Sequence, residues 1–228
     1  MLAVGVCACA VQARKRLSID WRKEVIARTL KAAGKLYAQG YHHLEVINPC
    51  PLPKRGPAIL VCNHVSSLDP VLIQAACPRL VTWMMAKEYY DLAAMRWAFQ
   101  AIDAIPVARS GKDLSATRAA LRALQKGQVV GIFPEGKIET STDLLPFEVG
   151  VAMLAHHSKA EVYPAYLDGT QRGQDMLTVF FRSQCAKLTF GPKIELDLAS
   201  HRPDFAATTK QIRGAVESLM GAASSLQA

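Results

Sequence analysis

Between residues 58 and 167, short apolar runs alternate with stretches of helical periodicity, and this alternation constrains the fold most. Ala58-Ile59-Leu60-Val61-Cys62 and Val129-Val130-Gly131-Ile132 are continuously apolar, with no polar face. Strands of that kind are buried on both sides, as in parallel sheets covered by helices. The pattern predicts strands at 58–62, 80–85, 104–107, 128–133 and 161–167, and helices at 69–76, 88–99, 113–125 and 147–157. Pro70 suits the first turn of a helix, and Gly127 the end of one. A hairpin near 177–197 and a helix over 205–222 follow. The expected fold class is α/β: a single domain with a largely parallel mixed sheet flanked by helices.

The N-terminal part reads differently. Residues 1–60 hold ten Lys/Arg against three Asp/Glu, most of the net charge of +8. Over 18–38, Trp21, Val25, Ile26, Leu30, Ala33, Leu36 and Tyr37 recur near helical spacing, with Arg22, Lys23, Arg28, Lys31 and Lys35 among them. Such a helix either packs on the core or lies in a membrane interface, where Trp and Tyr anchor and basic residues meet lipid phosphates. Residues 1–44 are therefore expected to form a basic amphipathic arm on a domain spanning 45–228, with four prolines between 48 and 57 in the connecting loop. The apolar stretch 1–13 is shorter than a membrane span, and its positive charges follow it, unlike those of a signal peptide. A basic arm could also suit nucleic acid, but aromatic interleaving and any recognition motif are lacking, so no nucleic-acid partner is expected.

The six cysteines show no zinc-ligand spacing and call for no disulfide framework in a chain of 228 residues, which points to reduced thiols on the cytoplasmic side. Neither histidine pair, 42–43 or 156–157, reads as a metal site. The Met- and aromatic-rich stretch from Met84 to Phe99 fits ordinary core, or the wall of an apolar groove or a membrane-contacting helix.

Polar residues cluster where an open parallel sheet binds its ligands, just past the carboxyl ends of strands. Asn63-His64-Val65-Ser66-Ser67-Leu68-Asp69 follows one apolar run, and Phe133-Pro134-Glu135-Gly136 follows another. Arg109 lies past a third expected strand. Imidazole ordinarily titrates at about pH 6.5, so a histidine can act as a neutral base on an alcohol near neutral pH. Asp69 could hold the other ring nitrogen, as the carboxylate of a hydrolase triad does. With no G-x-S-x-G elbow in the sequence, direct transfer to an external hydroxyl is the economical chemistry. Arginine's planar fork suits phosphate, and backbone N–H groups after a glycine turn can meet an oxyanion.

Together these residues resemble the glycerolipid acyltransferase family, of which 1-acylglycerol-3-phosphate acyltransferases are the best-known members. Asn63, His64 and Asp69 match its N-H-x-x-x-x-D motif, and Ile105-Pro106-Val107-Ala108-Arg109 matches its second. Phe133 to Gly136 match F-P-E-G, and Val162-Tyr163-Pro164 match the fourth, apolar motif. The resemblance spans residues 45–192 and departs from the family at Asp103 (usually glycine), Ala108 (usually acidic) and Lys137-Ile138 (usually Thr-Arg).

The resemblance implies transfer of a fatty acyl group from acyl-CoA or acyl carrier protein, as co-substrate, to a lysophospholipid hydroxyl, most directly 1-acylglycerol-3-phosphate. It implies His64 as base and Asp69 as its orienting partner. Arg109, Glu135, Gly136 and Lys137 would form the acceptor site, and Val162 and Pro164 would lie along the acyl donor or its chain. No cofactor or metal is implied, and the expected location is peripheral, on an anionic cytoplasmic membrane face. Two alternatives stand beside this: an acyltransferase for another lysolipid, such as a lyso-aminolipid, and a non-catalytic lipid-binding protein of the same fold.

Overall fold

A computed structural model describes residues 4–108, 113–138, 144–170 and 178–225, with side chains from residue 21 onward and up to residue 222. The sheet has seven strands: β1 (Glu45–Val46), β2 (Ala58–Cys62), β3 (Val81–Ala86), β4 (Ile105–Val107), β5 (Val129–Ile132), β6 (Glu161–Asp168) and β7 (Lys187–Phe190). Their spatial order is β1-β7-β6-β2-β5-β3-β4. All pairings are parallel except β6 with β7. Flanking them are α1 (Val4–Gly40), α2 (Asp69–Ala76), α3 (Lys87–Tyr90), α4 (Arg96–Ala101), α5 (Leu114–Gln125), α6 (Gly150–Ser158), α7 (Thr178–Phe181) and α8 (Phe205–Ser225).

β2 explains the architecture. It is central, and all five of its residues are buried. Side chains alternate along a strand, so Ala58, Leu60 and Cys62 enter one core with Leu68, Leu72, Ile73, Trp83 and Leu188. Ile59 and Val61 enter the other, with Ala120, Leu124, Val151, Leu154, Ile212 and Val216. A strand walled on both faces has no use for a polar position, and the sequence offers none there.

Three expectations change. The segment read as one helix over 88–99 is two short helices, α3 and α4, separated by a turn in which Leu92 and Met95 are exposed. A helix with no apolar face to bury lacks most of its stabilisation. The hairpin expected near 177–197 is instead α7 followed by one strand, β7, which pairs with the distant β6. Beyond β7, the return leg is reduced to a single bridge, Ile194 to Val162.

The third change concerns α1, which runs from Val4 to Gly40 rather than over 18–38. It packs against α2 and α4. Its core-facing side is built from small residues: Ala27 and Ala38 are buried, and Gly34 sits against Val71. Trp21, Val25 and Leu36 are exposed, Leu36 by 75%. At 100° per residue they project from the side opposite Ala27, Gly34 and Ala38. Of the two settings expected for this helix, core packing engages its small residues, while the large apolar residues largely point outward. Among the described residues, no helix is long and apolar enough to cross a membrane.

Candidate active site

β2 and β5 are neighbours in parallel register, with Val61 opposite Ile132. Their carboxyl ends therefore deliver the two polar motifs to one place. The backbone N–H of His64 donates to Glu135 Oε1 at 3.0 Å, and Leu145 N–H donates to Glu135 Oε2 at 3.3 Å. Glu135 is buried and braces the loop that carries His64.

Asp69 opens α2 and is fully buried. Its Oδ2 lies 3.0 Å from His64 Nδ1 and accepts the N–H groups of Val65 at 2.8 Å and Ser66 at 2.9 Å. A carboxylate at a helix N-terminus also gains from the helix dipole. With Nδ1 facing a carboxylate, that nitrogen carries the proton and Nε2 presents its lone pair. Among the described residues, Nε2 has no hydrogen-bond partner, and the His64 side chain keeps 18% of its exposure. Asn63 fixes the other side of the loop, accepting from Leu167 N–H at 2.8 Å and donating to Leu167 C=O at 2.9 Å.

Two neighbours escaped the sequence reading. The Thr170 hydroxyl sits 3.5 Å from Asp69 Oδ1, two residues past the end of β6. Its signal was available: His64 has the same offset from β2. Trp83 in β3 stacks on Phe133, with ring centroids 4.9 Å apart, and Phe133 stacks on His64 at 4.1 Å. Both belong to the surroundings of His64.

Cys62, directly below the loop, is no nucleophile. Burial, and then the nearby carboxylates of Asp69 and Glu135, hold its thiol well above the ordinary value, so it stays protonated.

The remaining expected residues divide. Gly136 turns at φ 71°, and its N–H is engaged by Phe133 C=O at 3.1 Å, closing the turn rather than facing an oxyanion. Lys137 is exposed beside it. Arg109 lies outside the described residues. Its flanks are clasped, since Ala108 N–H donates to Asp113 Oδ2 at 2.7 Å. Asp113 also caps α5, and these hydrogen bonds, that from Ala108 foremost, hold its carboxyl well below the usual range. Val162 and Pro164 are buried within β6; Val162 pairs with Ile59, roughly 16 Å of strand below His64. Asp103, where the family usually has glycine, adopts φ 53°, a left-handed backbone that aspartate tolerates better than most residues. Among the described residues there is no cluster of three or more His, Cys, Asp or Glu able to hold a metal ion.

A histidine held by a buried carboxylate at the carboxyl edge of a parallel sheet is an arrangement able to take a proton from a hydroxyl. The family model described as Acyltransferase matches residues 43–168. The chain belongs to this family and is an acyltransferase. It is 27% identical over 164 residues to a 1-acyl-sn-glycerol-3-phosphate acyltransferase of Bacillus subtilis, covering 72% of this chain and 76% of that one. It is 25% identical over 157 residues to the protein of that name from Helicobacter pylori, covering 68% of this chain and 63% of that one. The fold resembles the crystal structure of the 1-acyl-sn-glycerophosphate acyltransferase PlsC from Thermotoga maritima. The TM-score is 0.69 at 16% identity, over 87% of this chain and 80% of the other.

Proposed function

We propose that the protein moves a fatty acyl group from a thioester donor, acyl-CoA or acyl carrier protein, to the free hydroxyl of 1-acylglycerol-3-phosphate, giving phosphatidic acid. The observation that carries this reading is the His64–Asp69 pair, with Nδ1 held at 3.0 Å and Nε2 open. In this mechanism Nε2 takes the hydroxyl proton as the oxygen attacks the thioester carbonyl. The C–O bond forms, the C–S bond breaks, and the departing thiolate receives the proton back from the imidazolium. Asp69 stabilises that cation without itself being protonated.

Arg109 and Lys137 are the proposed phosphate ligands, with Glu135 and Gly136 shaping that side of the site; Val162 and Pro164, buried in β6, would serve the acyl side only through the strand that carries them. No cofactor is required. The proposed organisation keeps 1–44 as an arm and 45–228 as the catalytic domain, with the arm resting on an anionic membrane face on the cytoplasmic side. What supports the arm's role is the outward stripe of Trp21, Val25 and Leu36, with Arg22 lying over the Trp21 ring.

The test is acyl transfer by purified protein to a panel of lysolipids, read by mass spectrometry. Arg109→Ala should raise KM for the phosphate-bearing acceptor about tenfold or more, and Arg109→Lys should recover only part, because lysine lacks the bidentate fork. A neutral lysolipid should respond much less. Equal losses on both acceptors, or a preference for a lyso-aminolipid, would overturn the glycerophosphate assignment.

A further inference from the structure

The ring stack beneath His64 follows from the sheet itself. Trp83 lies on β3, Phe133 just past β5, and His64 just past β2, and these strands are adjacent in the order β2-β5-β3. In the paired register Trp83 faces Gly131 and Leu60 faces Gly131 from the other side. Side chains alternate along each strand, so Leu60, Cys62 and His64 continue one face, as do Gly131 and Phe133. Neighbouring strands are about 4.8 Å apart, close to the ring spacings of 4.9 and 4.1 Å. The planes are nearly parallel, at 9° for Trp83 on Phe133 and 16° for Phe133 on His64.

Gly131 makes room for this. A Cβ there would lie 2.5 Å from Trp83 Cε3 and 2.7 Å from Val81 Cγ1. Glycine in the interior of a strand weakens it and often marks a close approach; here the approaching group is an indole ring. Trp83 is buried, and its Nε1–H has no acceptor among the described residues, so the indole is held for its ring rather than for a hydrogen bond.

We propose that Trp83 is a positioning residue for the acyl-transfer reaction: acting through Phe133, it fixes the plane of the His64 imidazole and keeps an aromatic face behind that ring while it carries the proton. Among the described contacts, Asp69 meets the His64 ring at Nδ1, and Glu135 meets its backbone N–H. Rotation of the ring about its Nδ1 contact would swing Nε2 away from the acceptor hydroxyl. The stack blocks that rotation. It also presents π density to the imidazolium, which exists only once the proton has been taken, so its effect belongs in kcat rather than KM. The inference rests on His64 being the base.

Phe133→Leu, Trp83→Leu and Trp83→Phe test it. The two leucine variants should each lose about tenfold in kcat, equivalent to about 1.4 kcal/mol, with KM for both substrates changed less than about twofold. Trp83→Phe, which keeps a ring in the stack, should recover most of the loss. In NMR spectra, the His64 ring C–H protons of the native protein should be displaced by the Phe133 ring current. They should move toward ordinary positions in Phe133→Leu and shift in Trp83→Leu. A folded Trp83→Leu protein with native kcat and unmoved His64 signals overturns the proposal, as does Trp83→Phe being as impaired as Trp83→Leu. Should Trp83→Leu not fold, Phe133→Leu decides by the same two measurements. If His64→Ala kept its turnover, the base assignment would fail instead; the NMR signals need no turnover and report the stack separately.

Discussion

Asp69 Oδ2 accepts the backbone N–H groups of Val65 and Ser66 as well as meeting His64 Nδ1, so one carboxylate both shapes the loop and orients the proposed base. Removing the base and removing its holder should therefore differ in kind. His64→Ala should cost about 10²–10⁴ in kcat, the usual worth of general-base catalysis, with only a modest fall in Tm because Asp69 keeps its bonds to Val65 and Ser66. Asp69→Asn should cost a similar factor and also lower Tm, since a neutral amide oxygen is a weaker acceptor for three N–H groups. Kinetics and thermal melts on both variants check this. Near-native turnover in folded His64→Ala would sink the mechanism.

Glu135 joins the two motifs through His64 N–H and Leu145 N–H. Glu135→Ala leaves both donors short of an acceptor, at about 1–3 kcal/mol for each donor that becomes unsatisfied. For a chain of this size that corresponds to about 2–4 °C of Tm per kcal/mol. Glu135→Gln retains one acceptor oxygen and should fall between. A loss confined to acceptor KM, with Tm unchanged, would show that Glu135 meets substrate instead of bracing the loop.

The sheet and the His64–Glu135 meeting were legible because both rest on strand alternation and on short motifs that end strands. Trp83 was not, since its role depends on its cross-strand partner being glycine, and pairing between β3 and β5 cannot be read from either strand alone. Which way α1 turns its large residues was left open for a related reason. Periodicity finds an apolar stripe but does not say which side meets the core, and here close helix packing at Gly34 and Ala38 favoured the small side. The apparent departure at Asp103 is explained by backbone conformation, at φ 53°.

His42 follows α1, fully buried and edge-on to the rings of Tyr37 and Tyr41. Burial, and then the neighbouring His43, lowers its folded-state pKa. The unfolded chain therefore takes up a proton that the folded one refuses. The resulting stabilisation is complete above about pH 6.5 and is lost as pH falls toward the lowered folded value. His42→Phe keeps a ring in place and removes this titration. Its Tm should fall less than the native Tm between pH 7 and pH 5. Parallel curves for the two proteins would count against the assignment.

The outward stripe of α1 gives the last prediction. Trp21 and Leu36 are 55% and 75% exposed, so Trp21→Ser with Leu36→Ser should barely alter Tm. Fully burying one such side chain is worth about 1.5–3 kcal/mol. Even partial insertion of both should make the double variant bind anionic vesicles about tenfold more weakly. Lys35 and Arg22 flank the stripe and should add a part that salt removes, because exposed charges are screened over about 10 Å at 0.1 M. Sedimentation with neutral and anionic vesicles, at low and high salt, separates the two contributions. Transfer to a soluble short-chain acceptor should survive the double substitution, since neither residue belongs to the surroundings of His64. Unchanged vesicle binding by the double variant would remove the apolar part of the argument, and equal binding to neutral and anionic vesicles would remove the electrostatic part.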